Sequence, residues 1–85
     1  MDREKIILSD LDLKIMNYLR EERNVTKILD EFGIGFSQCK RHIERITEFI
    51  KIRKYGTFKF ITVNEKGESI LELLKWKLKL KDNLI

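Results

Sequence analysis

Proline and alanine are absent from this chain, and cysteine and histidine occur once each, as Cys39 and His42. A single cysteine closes no disulfide within the chain, and one cysteine with one histidine is too few ligands for a tetrahedral metal site. No cofactor or small-molecule motif is evident, and none is expected. No run approaches the roughly 18 apolar residues that a membrane-spanning helix needs, so no membrane partner is expected. The opening Met1-Asp2-Arg3-Glu4-Lys5 alternates charge ahead of only three apolar residues, which is not the pattern of a secretory leader. An intracellular, cytoplasmic protein is therefore expected. Glycine is scarce, with four residues, while 42% of the chain is hydrophobic, which excludes a disordered or low-complexity class. The 85 residues allow one small domain that buries roughly 60–65% of its unfolded surface. Its stability must come from close packing or from a second copy of the chain.

The net charge of +4 is unevenly spread. Residues 1–35 are acidic overall. Residues 36–59 carry seven basic side chains (Lys40, Arg41, Arg45, Lys51, Arg53, Lys54, Lys59) against two acidic ones (Glu44, Glu48). A local excess of that size within folded-looking sequence suits a polyanionic partner.

The first element reads as a helix. Ser9 is placed to cap it, Asp10 and Asp12 fall in the first turn, and Leu8 and Leu13 form a staple. Leu11, Ile15, Tyr18 and Leu19 then make an amphipathic stripe that ends near Glu22. Asn24 or Thr26 opens a second, shorter helix with Ile28, Leu29 and Phe32 on its apolar side, and Gly33 stands at its C-cap. Only Ile34 and Gly35 separate it from a third helical pattern, which is the spacing of a helix-turn-helix. That third helix, about 36–49, places Cys39, Ile43, Ile46 and Ile50 on one buried stripe. Ser37, Gln38, Arg41, Glu44, Arg45 and Glu48 fall on the outer side, and hydroxyl, amide and guanidinium groups are those that read base edges.

Two strand-like runs follow, Ile50 to Lys54 and Phe58 to Val63, around Tyr55-Gly56-Thr57. A three-residue loop sets Ile52 opposite Phe60 and Ile50 opposite Thr62, giving one apolar face. It also sets Arg53 opposite Lys59, a like-charge pair that an anion would relieve. Asn64 caps a last helix carrying Ile70, Leu71, Leu73, Leu74, Trp76, Leu78 and Leu80. From Leu74 the sequence alternates Leu or Trp with Lys, a strand period, but the residue types are good helix formers and helix is the expectation. No repeat or linker is present, so the fold class is mainly α with a small β-hairpin (α+β), in a single domain of residues 1–85.

In this order, these elements resemble the winged helix-turn-helix family of DNA-binding proteins. Phe32-Gly33-Ile34-Gly35-Phe36-Ser37-Gln38-Cys39-Lys40-Arg41-His42-Ile43 is similar to the turn and recognition helix of bacterial and archaeal regulators. There, a Gly turn precedes a Ser-x-x-x-Arg-His-aliphatic run. The basic strand, Gly56, the aromatic strand and Val63-Asn64-Glu65-Lys66-Gly67 are similar to the family's wing and to its Leu-Thr-x-x-Gly entry into the final helix. The resemblance covers about residues 9–74. It departs at Gly35 and Phe36, where a capping Ser or Thr and a polar residue are usual, and Glu44 and Glu48 oppose phosphate on the outer face. It implies a winged helix core of about 9–64 with an additional C-terminal helix of about 65–81. It implies that Ser37, Gln38, Arg41 and Arg45 face the major groove and that Lys40 reaches a flanking phosphate. Arg53, Lys54, Tyr55, Thr57 and Lys59 would form the wing on the backbone or minor groove, with His42 partly buried.

The expected function is that of a sequence-preferring double-stranded DNA-binding protein, a transcriptional regulator rather than an enzyme. The acids are spread along amphipathic faces, the histidine has no nucleophile partner, and Gly33-x-Gly35 follows a helix and continues to Gln38, unlike a dinucleotide fingerprint. Two rival readings are a winged-helix module for protein contact and an architectural, chromatin-type DNA binder. The final helix carries more apolar surface than one domain core covers. A homodimer through Ile70, Leu73, Leu74, Trp76 and Leu78 is therefore expected.

Overall fold

A computed structural model describes residues 7–83, and their side chains as far as Lys75. It is an α+β arrangement of four helices, one 3-10 turn and a three-stranded antiparallel sheet. Among the described residues no helix is long and apolar enough to cross a membrane.

The first helix, α1 (Asp10–Tyr18), starts as its sequence dictates. Asp12 N–H donates to Ser9 Oγ at 3.1 Å and Ser9 N–H donates to Asp12 Oδ2 at 2.8 Å, a reciprocal capping box. It ends at Tyr18, short of Glu22, because the Leu19 carbonyl is taken by β3 (Phe58–Val63), accepting from Val63 N at 2.9 Å and Thr62 Oγ1 at 3.1 Å. The chain then forms a strand absent from the sequence expectation, β1 (Arg23–Asn24), which pairs with β3. Asn24 also caps α2 (Val25–Phe32), accepting from Lys27 N at 3.0 Å, and α2 closes on Gly33 in the left-handed conformation.

The third helix, α3 (Phe36–Arg45), is shorter than the expected 36–49. Thr47–Phe49 tighten into a 3-10 turn, in which Phe49 N donates to Ile46 O at 2.8 Å. Asn64 fixes this departure: its Nδ2 donates to Glu48 O at 2.9 Å and its backbone N–H to Phe49 O at 2.9 Å. As expected, α3 starts at Gly35 with no side-chain cap.

The hairpin of β2 (Ile50–Tyr55) and β3 has a different register from the one the sequence suggested. Tyr55 pairs with Phe58, so the loop is only Gly56-Thr57, with Gly56 at φ +61° in the first central position where two-residue hairpins take glycine. Ile52 therefore faces Ile61 and Ile50 faces Val63, an aliphatic pairing better than the expected one. Arg53 lies opposite Phe60, not Lys59, and the like-charge pair is Lys54 with Lys59.

The last helix, α4 (Glu65–Asn83), is capped by Asn64 Oδ1, which accepts from Gly67 N at 2.9 Å. The alternating Leu/Lys segment is helical to Asn83, as its residue types argued. A Cβ on Gly67 would overlap the Phe49 carbonyl oxygen, so glycine is what lets α4 lie against the 3-10 turn. Arg20 ties α4 to the end of α1 through Glu68 (3.0 Å) and Glu72 (2.6 Å). The core gathers Ile15, Met16, Leu19, Ile28, Cys39, Ile46, Phe49, Ile50, Ile61, Val63 and Leu71 at the junction of all four helices and the sheet.

Candidate nucleic-acid interface

The outer side of α3 follows from its helical spacing. Cys39 is buried and Ile43 half-buried, which turns Ser37, Gln38, Lys40 and Arg41 to solvent. Burial pushes the Cys39 thiol up, as suits a residue of the apolar floor. Among the described residues, Lys40, Arg41, Lys51, Lys54 and Lys59 are exposed and have no carboxylate within ion-pair distance.

Arg45 and Arg53 depart from their expected roles. Arg45 Nε lies 3.5 Å from Asp12 Oδ2, reaching toward α1 while its side chain stays 46% exposed. Arg53 makes a two-point pair with Glu22, Nε to Oε2 at 2.8 Å and Nη2 to Oε1 at 3.0 Å. That pairing holds its guanidinium firmly charged, and the group also sits 5.1 Å from the Tyr55 ring centroid. The signs along the segment shift accordingly. Two of its seven cations have carboxylate partners, while Glu48 is taken by Lys66 at 3.1 Å. Among the described residues the other five have no carboxylate partner, and Glu44 is the one acid of the segment left unpaired.

Strand alternation divides the hairpin residues. Ile50, Ile52 and Lys54 share a face with Val63, Ile61 and Lys59, and of these Ile52, Ile61 and Lys59, with Phe58 near the hairpin tip, line the cavity beside α3. Lys51, Arg53 and Tyr55 lie on the other face, with Thr62, Phe60 and Phe58. The expected site is thus partly brought together. Lys40, Thr57 and Lys59 line the groove between α3 and the hairpin, Ser37, Gln38 and Arg41 are exposed on α3, Arg53 and Tyr55 share a sheet face that does not include Lys54 and Lys59, and Arg45 lies beside α1. Phe36, where the sequence departs from the family pattern, is exposed, and so is Phe58, which the sequence reading placed only in a strand.

Asp12 is the other residue whose role was not foreseen. Its side chain is 0% exposed and contacts His42 Nδ1, Ser9 and Arg45. Burial alone would raise its carboxyl, but hydrogen bonds from His42 and Ser9, together with the Arg45 charge, hold it below the ordinary value. An ionised carboxylate only accepts, so Nδ1 of His42 carries the proton and donates. This buried cluster sets the position of α3 against α1. The i, i+3 spacing of His42 and Arg45 on one helix flank was the available sign of an acidic partner.

Of the residues expected at a dimer interface, Ile70 packs against the domain's own core, Leu74 is half-buried and Leu73 is 61% exposed. Trp76 and Leu78 lie outside the described side chains. No family model, curated protein or solved structure matches this chain.

Proposed function

We propose that this chain is a winged helix-turn-helix protein that binds double-stranded DNA with sequence preference and regulates transcription as a homodimer. The carrying observation is the surplus of cations over partners. Of the seven in residues 36–59, only Arg45 and Arg53 pair with carboxylates, Asp12 and Glu22, while Lys40 and Lys59 at the groove between α3 and the hairpin, with Arg41, Lys51 and Lys54, have none among the described residues. A local cationic surplus of that size suits a polyanion. In this reading α3 enters the major groove, with Gln38 and Arg41 at base edges and Ser37 and Lys40 on flanking phosphates. Lys54, Thr57 and Lys59 lie on the backbone beside it. Arg53 and Arg45 act as braces for the hairpin and for α3, rather than as contacts.

Titration of random and selected duplexes between 50 and 200 mM salt tests the reading. Four or five phosphate contacts give a slope of log K against log salt of about −4 per chain. Binding that ignores salt, or no binding at low salt, removes it. Phe36 and Phe58, exposed at 65% and 62%, favour a second reading as a module for protein contact, which those outcomes would promote.

A further inference from the structure

Between α3 and the hairpin lies a cavity of about 470 Å³, within the range of roughly 300–1,000 Å³ typical of small-molecule sites. Its walls are aliphatic and aromatic: Phe36 and Ile43 from the helix, Ile52 and Ile61 from the strands. Ile52 is 49% and Phe36 65% exposed, so apolar surface stands in water where two elements meet. At the rim stand Lys40 on the helix and Lys59 on the hairpin, both without a carboxylate partner among the described residues. No aspartate or glutamate is among the lining residues.

We propose that this groove binds an amphipathic anion, an apolar body ending in one carboxylate, sulfonate or phosphate. Duplex DNA does not satisfy it. A duplex brings phosphates to the two lysines but no apolar body of this size, and leaves Ile52 and Phe36 unburied. A neutral apolar compound covers the walls and leaves both ammonium groups without an anion. Only a ligand carrying both features answers both halves of the lining, with the charge-assisted bonds at the rim fixing its direction. Because Lys40 and Lys59 are also assigned to DNA above, bound anion and duplex exclude each other. That exclusion rests on the DNA reading, whereas the site itself does not.

The full chain is titrated with 1-anilinonaphthalene-8-sulfonate and, separately, with the neutral N-phenyl-1-naphthylamine, which has nearly the same apolar body. Expected is saturable binding of one sulfonate per chain, with the neutral compound about tenfold weaker. Lys40→Gln combined with Lys59→Gln, both on exposed side chains, removes that preference, and Ile52→Glu abolishes binding of either probe. Equal affinity for the two compounds overturns the proposal and indicates a groove for an apolar protein segment. Sulfonate binding unaffected by the lysine pair, or no saturable binding, also overturns it. Duplex added to the loaded protein releases the probe. Probe binding by a chain that binds no duplex ends the DNA reading while this site stands, and simultaneous binding of both ends the exclusion.

Discussion

Asp12 is the residue on which the placement of α3 turns. Its carboxylate is fully buried and accepts from Ser9, at the start of its own helix, and from His42, thirty positions away. Its folded value lies below its ordinary one near 4, so its contribution to stability is complete above that ordinary value. The contribution shrinks as pH falls toward the folded value and is gone beneath it. Asp12→Asn offers one acceptor oxygen where two now serve, and should cost about 1–3 kcal/mol near neutral pH. Urea midpoints followed from pH 6 to pH 2 should converge for the two proteins at the acid end. A gap constant across that range would show that the charge contributes nothing. Arg41 has the opposite character, exposed and without an internal partner. Arg41→Ala should cost about 1–3 kcal/mol on a selected duplex, little on random duplex, and nothing in stability. Equal losses on both duplexes would make the protein an architectural binder. Gly67 is constrained by a neighbouring backbone. On helix propensity alone, alanine would gain about 1 kcal/mol at that position. Against the Phe49 carbonyl, Gly67→Ala should instead lower the thermal midpoint, and a rise would disprove the close approach.

Elements whose ends are set by adjacent residues were legible in the sequence, and elements ended by distant partners were not. Ser9, Asn24, Gly33 and Asn64 cap or stop helices through groups no more than a few positions away, so α1, α2 and α4 start or stop where their residues indicate. The early end of α1 is decided by Val63 and Thr62, the end of α3 by Asn64, and β1 is two residues long, too short to show any period. The hairpin register failed for a local reason: Tyr55 belongs to the strand, where it packs edge-on against Phe60 at 5.8 Å, rather than to the loop. The candidate site divides along the same line. Ser37, Gln38, Lys40 and Arg41 follow from helical spacing within α3, while the pairing of Arg53 depends on Glu22, which no spacing reveals, and Asp12 was signalled only by the i, i+3 spacing of His42 and Arg45. The corrected register makes Lys54 opposite Lys59 a built-in strain at the hairpin tip. Lys59→Ala should therefore leave the free protein as stable or slightly more so, while weakening random and selected duplexes equally. A drop in stability on that substitution would mean that the two ammonium groups do not oppose each other in solution.

For the whole molecule, the question is what α4 does beyond the part that packs. Gly67 and Leu71 are buried, Ile70 and Leu74 are half-buried, and Arg20 clamps Glu68 and Glu72. Those contacts account for the first half of a 19-residue helix, which is about 28 Å long. Leu73 is 61% exposed, immediately before the Leu/Lys alternation. A buried leucine is worth about 1.5–3 kcal/mol, large against the stability of so small a domain. In the proposed homodimer, a second α4 covers this side by twofold symmetry, and two copies of α3 meet successive major grooves about 34 Å apart on a palindromic site. Leu73→Glu is a cleaner test than truncation because Leu73 makes no core contact within the chain. The variant should keep its helical signal and its ion pairs to Arg20, sediment as a monomer at tens of micromolar where the parent is a dimer, and lose most of its affinity for a two-half-site duplex. Its affinity for a single half-site should be unchanged. If the parent is already a monomer at that concentration and Leu73→Glu alters nothing, α4 does not hold two chains together, and each domain binds DNA alone.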